Sequence, residues 1–343
     1  MRSLAVKAPK GVGESTRKKL LDLGVLDVSL RIDRTDEHII IPVTKEVEGM
    51  EGLEVVEADL EERGLAETDY KKVVRLPENL VPLLPTSFDI VGDVGIVRLP
   101  EELVPHAIEV GRAMRQVFPR LRVVALDRGV RGEFRVRELE VVAGEGGLET
   151  EHLEYGVRLR VDPGKVYFNP RLANERMRVA SLVRPGETVF DMFAGVGPFA
   201  IMIARHSQAM VVFAMDLNPD AVHYLRENIA LNRAEKVVPM EGDSRHIIFD
   251  IPCADRIVMN LPHSALDFYA DALTRLNFGG TIHLYHICDR SEIGPVLEGL
   301  VSQALGMGVR VEVERCEELK TYSPSASVFS IDLRLLDWRQ GDA

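Results

Sequence analysis

The segment VFDMFAGVGPFA, Val189 to Ala200, constrains this chain more than any other stretch of it. An apolar run ends in an acid, and glycines follow where helical periodicity begins. Gly195 and Gly197 permit a tight turn and a close approach to backbone, while Asp191 at the strand's carboxyl end accepts hydrogen bonds or attracts a cation. About 20 residues further on, Asp216 closes the run VVFAMD, where a carboxylate takes both hydroxyls of a ribose. A third turn, MNLPH from Met259 to His263, ends the apolar run DRIVM.

The third glycine of a dinucleotide fingerprint is here Ala200, and Pro198 removes an amide that a pyrophosphate requires. A nicotinamide cofactor is therefore disfavoured. S-adenosylmethionine carries no phosphate and needs a glycine-lined floor with a ribose-binding acid, and the chain offers both. The expected cofactor contacts are Asp191, Phe193, Gly195, Gly197, Asp216, Leu217, Asp243, Ser244, Asn260 and Pro262. Asp243 reads either as a partner of the adenine amino group, helped by Ser244, or as the cap of the next helix. Asn260, with a rigid proline two residues on, presents an amide to an amine-bearing base or merely ends its strand.

From GVRLRVDPGKVYFNP onward, strand and helix patterns alternate to the end of the chain. Such alternation predicts an α/β fold, a Rossmann-like, mainly parallel, doubly wound sheet whose ligands bind beyond the carboxyl ends of its strands. Three domains are expected: a small α/β module over 1–67, an α+β extension over 68–150 and the Rossmann-like domain over 151–343. In the first, VGESTRKKLLDLGVL reads as a helix with Ser15 or Thr16 near its start and Gly24 at its stop, and EHIIIPV as a strand. The charged LEERGLAETDYKK reads as a linker. In the second, FDIVGDVGIVRLP alternates strands and turns, and EELVPHAIEVGRAMRQVF has helical period.

A net charge of −12 argues against a protein that coats nucleic acid. Locally the balance differs. Eight arginines lie between Arg112 and Arg137 against two acids, Asp127 and Glu133. They form either a phosphate-contacting strip or a surface whose arginines pair with acids elsewhere. Three dispersed cysteines and nine unclustered histidines give no metal-ligand spacing. With no run of about 18 apolar residues and no apolar leader, a soluble cytoplasmic protein is expected, with no membrane partner.

In VYFNPRLANERMRV, Tyr167 and Phe168 precede an Asn169-Pro170 turn, and a polar helix then carries Arg171, Glu175, Arg176 and Arg178. Its glutamate either faces solvent or is held by ion pairs with the arginines around it. That segment, together with GEFRVRELE (132–140), DMFAGVGPF, MDLNPDAVHYLRENIALN (215–232) and MNLPH, resembles the archaeal and eukaryotic tRNA guanine-37 N1-methyltransferases. The resemblance covers almost the whole chain, including a first module like that of archaeal members. DMFAGVGPF alone points only to methyltransferases at large. The chain departs from the commonest archaeal pattern at His263, where lysine is frequent, and at Asn174.

The resemblance implies Glu175 as general base, Arg135 as the contact to guanine O6, Asn260 as the residue holding the target base and Tyr167 as an active-site tyrosine. It implies S-adenosylmethionine as methyl donor, tRNA as partner and a monomer, with the first module touching the outer corner of the tRNA. Arg131, Arg137, Arg171, Arg176 and Arg178 are the expected substrate contacts. Because guanine N1 carries a proton and lies on the Watson–Crick edge, the base must leave the anticodon loop and lose that proton as it is methylated. Rival readings are a methyltransferase acting on a wyosine precursor, another RNA guanine or a protein side chain, and a non-catalytic RNA-binding protein on the same fold.

Overall fold

A computed structural model describes residues 2–47, 53–62, 67–132, 134–323 and 325–338. They fall into two units, Met1–Val73 and Val74–Ala343. In the first, β1 (Arg2–Pro9) is followed by α1 (Gly13–Asp22), β2 (Asp33–Arg34), β3 (His38–Pro42) and β4 (Glu54–Asp59), in the antiparallel order β2-β3-β1-β4. Leu20 of α1 packs on Val6, Ile41 and Val43 to make a core of its own. Ser15 and Thr16 both donate their hydroxyls back to the Val12 carbonyl, so neither caps an amide at the helix start. Gly24 ends the helix in the left-handed region at φ 67°, a conformation that favours glycine. Of the expected linker, residues 63–66 lie outside the described residues.

The second unit opens with β5 (Asp89–Val91), β6 (Val94–Val97), α2 (Ala107–Val117), β7 (Val123–Arg131) and β8 (Val136–Gly144), in sheet order β5-β6-β7-β8. The helical period over 101–118 becomes α-helix only from Ala107, because Pro105 has no amide to donate, and Glu101–His106 winds as 3-10 helix instead. A hairpin of β9 (Thr150–Glu154) and β10 (Val157–Val161) leads to α3 (Ala173–Leu182). At 150, where a domain boundary was expected, the chain passes from β8 into this hairpin within the unit Val74–Ala343. Val91, Val94 and Ile96 share one apolar core with Val157, Leu159 and Val161 and with the large sheet's Val189 and Val212.

That sheet is built from β11 (Thr188–Asp191), α4 (Pro198–His206), β12 (Val211–Asp216), α5 (Pro219–Asn232), β13 (Val237–Glu241), α6 (Ser244–Ile247), β14 (Ala254–Met259), α7 (Tyr269–Thr274), β15 (Leu276–Asp289), α8 (Ile293–Gly306), β16 (Val309–Thr321) and β17 (Ala326–Trp338). Its order is β13-β12-β11-β14-β15-β17-β16. β11 to β15 run parallel, as the alternation predicts. The closing strand β17 is antiparallel to both neighbours, since only a short turn joins it to β16 and a parallel partner would need a crossover. Strand order reverses direction between β11 and β14, which opens a crevice beyond their carboxyl ends.

Candidate active site

The turn after β11 is stitched to both adjoining strands. The Met192 amide donates to Val258 on β14 at 3.0 Å, and the Ala194 amide to Met215 on β12 at 2.7 Å. Gly195, at φ 55°, donates its amide to Asp216 Oδ2 at 2.7 Å. A Cβ there would meet only the Tyr167 carbonyl, at 3.7 Å, so Gly195 and the backbone of Tyr167 form one floor. Gly197 also answers to packing. At φ 91° its Cβ would lie 2.4 Å from Leu225 Cδ1, and its amide is spent on Ala194, so any side chain here would collide with α5. The fully buried Asn228 of α5 locks the same turn, donating to Val196 at 3.0 Å.

Asp191 is 0% exposed, and among the described residues neither of its oxygens meets a donor in hydrogen-bond geometry. Burial, and then the charge of Asp216, push its pKa up to about 7, with only partial relief from the nearby Ala200 and Phe193 amides. Burial also raises Asp216, although its oxygens take the Gly195 and Asn218 amides at 2.7 and 2.9 Å. A buried carboxylate at Asp191 and a half-buried one at Asp216, beside a glycine floor, suit a ligand that brings positive charge and a diol, which S-adenosylmethionine has. Phe193 packs edge-on against Phe268 at 4.8 Å, and Leu217 leaves an exposed apolar side chain at the end of β12. Ser244 is buried with its hydroxyl unpartnered among the described residues. Asp243 takes the capping role: it accepts the Arg245 amide at 2.9 Å, and the Arg245 guanidinium occupies its carboxylate at 2.6 Å.

Across the crevice, Asn260 follows β14, and Pro262 fixes its turn to β15 by accepting the Ile287 amide at 3.0 Å. His263 lies edge-on to Tyr322, with ring centres 5.5 Å apart. Burial lowers its pKa, and the charge of Arg135 lowers it further, which puts Arg135 within electrostatic reach of the MNLPH turn. Arg135 itself is strained, a non-glycine residue at φ 52°, in a turn closed by its amide on the Gly132 carbonyl. Glu133 lies outside the described residues.

Glu175 is not at the surface. It is 6% exposed and held by four donors. Tyr285 Oη and Ser330 Oγ each donate to Oε1 at 2.8 Å, and Arg178 grips both oxygens at 2.7 and 2.8 Å. Burial pushes its pKa up, but the Arg178, Ser330 and Tyr285 bonds outweigh burial and hold it below the usual carboxylate range. Met259 is level with Leu284 in the β14–β15 register, so Tyr285 follows level with Asn260. The glutamate is thereby anchored one strand over from the asparagine. It also lines a cavity of about 440 Å3 shared with Arg171, Arg178, Arg315 and Lys320.

Arg178 divides itself between Glu175 and Asp332, donating to the latter at 2.7 and 3.1 Å. Behind Asp332 stands the fully buried His283, whose Nδ1 lies 2.7 Å from it and whose Nε2 lies 2.6 Å from Arg256. A guanidinium only donates, so Nε2 accepts and the imidazole is neutral with its proton on Nδ1. Burial lowers the pKa of His283 in agreement with that tautomer. Sequence reasoning missed Tyr285, Ser330, His283 and Asp332. Their signal was available: polar residues two apart in otherwise apolar strands, His283 with Tyr285 and Ser330 with Asp332, share one sheet face.

Four of the eight arginines of the strip are ion-paired among the described residues. Arg128 meets Glu140 and Arg131 meets Glu138, both at 2.6 Å, and Arg122 meets Asp93 at 2.9 Å. The acids missing from the strip come from β8 and from the β5–β6 turn. Arg137 lies half-sunk between Asp89 and Asp127, at 2.9 and 3.6 Å, and is not free for phosphate. Arg171 pairs with Asp89 at 2.7 Å but stays half-exposed. Arg176 is 2% exposed, bound to both Glu154 oxygens at 2.5 and 2.7 Å and to the Asn169 carbonyl, so it ties α3 to the β9–β10 hairpin and offers almost no surface of its own.

Comparison with known proteins places this geometry. Residues 150–304 match the TRM5/TYW2 methyltransferase domain, 71–147 the TYW2 N-terminal domain and 5–51 the tRNA methyltransferase 5 N-terminal domain. The chain is 45% identical to the tRNA (guanine(37)-N(1))-methyltransferase Trm5b of Pyrococcus abyssi over 97% of its own length and 99% of that protein's. The crystal structure of Trm5b from Pyrococcus abyssi is similar, with TM-score 0.76 and 44% identity over 98% of this chain and all of that one. The aTrm5 chain solved as a complex with tRNALeu is similar at TM-score 0.69 and 32% identity, over 97% of this chain and 100% of that one.

Proposed function

This chain belongs to the tRNA (guanine-37-N1)-methyltransferase family, and we propose that its crevice transfers a methyl group from S-adenosylmethionine to N1 of guanine 37 in a tRNA anticodon loop. The observation that carries this reading is the placement of an ionised, immobilised Glu175 one strand from Asn260, with the floor of Gly195, Asp191 and Asp216 on the adjoining side of the same rim.

When bound, S-adenosylmethionine supplies a methyl group on a sulfonium that leaves as a neutral thioether. Asp216 would hold the ribose hydroxyls, and the buried negative charge of Asp191 would be stabilised by the donor's cationic groups. Asn260 would orient the extruded base through its side-chain amide. Glu175 is ionised at neutral pH, the form able to take the N1 proton. Its four donors make it a weak base, and a weak base suffices if the proton departs as the new N–C bond forms, since a methylated ring nitrogen gives up its proton far more readily. Arg135 would stabilise the charge that grows on O6. The exposed Arg131 would exchange Glu138 for phosphate at little cost, while Arg171 would have to leave the largely buried Asp89 to Arg137.

A monomer is taken as the working unit in this reading. No helix among the described residues is long and apolar enough to cross a membrane. Residues 1–73 are assigned to the outer corner of the tRNA. The test is methyl transfer from labelled S-adenosylmethionine to a transcript bearing guanine 37 and to a matched transcript bearing adenine. Label is expected in the first alone, and Glu175→Gln is expected to slow single-turnover transfer about a hundredfold with cofactor affinity unchanged. Equal labelling of both transcripts would overturn the assignment.

A further inference from the structure

A carboxylate at a base's position that is 6% exposed faces a contradiction, because burial favours its neutral form, which cannot accept a proton. The surrounding strands resolve it. Glu175 Oε1 receives Tyr285 from β15 and Ser330 from β17, each at 2.8 Å, besides Arg178 from its own helix. Arg315 from β16 stands 4.0 Å away and also donates to Ser330 Oγ at 3.0 Å, which turns that hydroxyl's proton toward Glu175. Arg171 and Lys320 complete the charged lining of the cavity.

Arg178 alone would not settle the matter, because its guanidinium is shared with Asp332. That second carboxylate is kept in place by the neutral His283, which Arg256 and Glu187 hold from behind, with Arg256 2.9 Å from Glu187. One guanidinium thus serves two anions. The hydroxyls of Tyr285 and Ser330 supply what the shared cation leaves short.

We propose that Tyr285 and Ser330 are positioning residues that act through Glu175, keeping it ionised and its Oε1 fixed in a buried setting, while Asp332 holds the Arg178 guanidinium in the bridge. The proposal rests on Glu175 being the base. Neither hydroxyl takes the proton from the substrate, and neither need touch it.

The experiment is single-turnover methyl transfer to the guanine-37 transcript between pH 5 and pH 8, with enzyme and cofactor saturating. Wild type, Ser330→Ala, Tyr285→Phe, Glu175→Gln and the Glu175→Gln/Ser330→Ala pair are compared. Wild type is expected to hold its rate down to about pH 5. Without one hydroxyl, burial gains on the remaining donors, so the glutamate takes up a proton at a higher pH. Ser330→Ala and Tyr285→Phe should therefore lose about tenfold in rate at pH 5.5 and regain most of it by pH 8. In the Glu175→Gln background, Ser330→Ala should add no further loss. A loss for the single variants that is the same at every pH, or that persists undiminished in that background, would overturn the proposal. A Glu175→Gln enzyme with wild-type rate would instead refute Glu175 as the base, which is a separate result. Ser330→Ala removes one oxygen from a strand that keeps its backbone ladder, so a folding failure of Tyr285→Phe leaves the test intact.

Discussion

Burying an ionised carboxylate with both oxygens unpaired costs a folded protein several kcal/mol unless a proton or a cation arrives. Asp191 is in that position, with a pKa pushed up to about 7. Because the folded value lies above the unfolded one near 4, the folded state binds the extra proton between these limits. The destabilisation is therefore absent at low pH and complete above about pH 7. Asp191→Asn keeps the shape and removes the charge. Without cofactor, this variant is expected to be more stable than wild type at pH 8 by roughly 2–4 kcal/mol, with the gap closing toward pH 4. Its affinity for S-adenosylmethionine should fall at least about tenfold. Thermal unfolding across pH and calorimetry at pH 8 measure the two effects, and a lower melting temperature at pH 8 would contradict the account. Asp191 was legible because an acid and glycines sit side by side in the chain. Arg176 was not, since the carboxylate that sequesters it lies 22 residues away, and Glu175 takes its hydroxyl donors from 110 and 155 residues downstream.

At the scale of elements, alternation of pattern made the parallel sheet readable, because period and loop length are local properties of the chain. The direction of β17 and the late start of α2 were decided by a short turn and by Pro105. The two glycines of the motif look alike in sequence and differ in what surrounds them. Alanine at 197 would put a methyl group 2.4 Å from Leu225 in a backbone region unsuited to it, so Gly197→Ala is expected to destabilise the protein by about 2–4 kcal/mol through the α4–α5 packing. Alanine at 195 meets only the Tyr167 carbonyl at 3.7 Å. Its cost in stability should be nearer 1 kcal/mol, and its principal effect a weaker hold on the cofactor. Denaturant unfolding set beside cofactor titration separates the two. Similar stability losses in both variants, with no difference in affinity, would mean that neither glycine lines the site.

Taken as a whole, the molecule holds every residue of the proposed site in one unit. Gly195, Asp191, Asp216, Asn260, Glu175 and Arg135 all belong to Val74–Ala343, while Met1–Val73 has its own four-stranded sheet and its own apolar clusters. Such a division lets the first unit affect how a substrate is held without altering how it reacts. With a net charge of −12 the chain as a whole gives RNA no long-range attraction, so on the proposed function a second foothold on the same tRNA would raise the effective concentration of the anticodon loop at the crevice. A chain limited to residues 74–343 is accordingly expected to bind S-adenosylmethionine within about twofold of the full protein. Its kcat/KM on intact tRNA should fall at least about tenfold, with the loss in KM. On an isolated anticodon stem-loop, which has no outer corner to grasp, the full and shortened chains should perform alike. If the shortened chain loses as much on the stem-loop as on the whole tRNA, the first unit contributes to the crevice itself and the separation of roles is wrong.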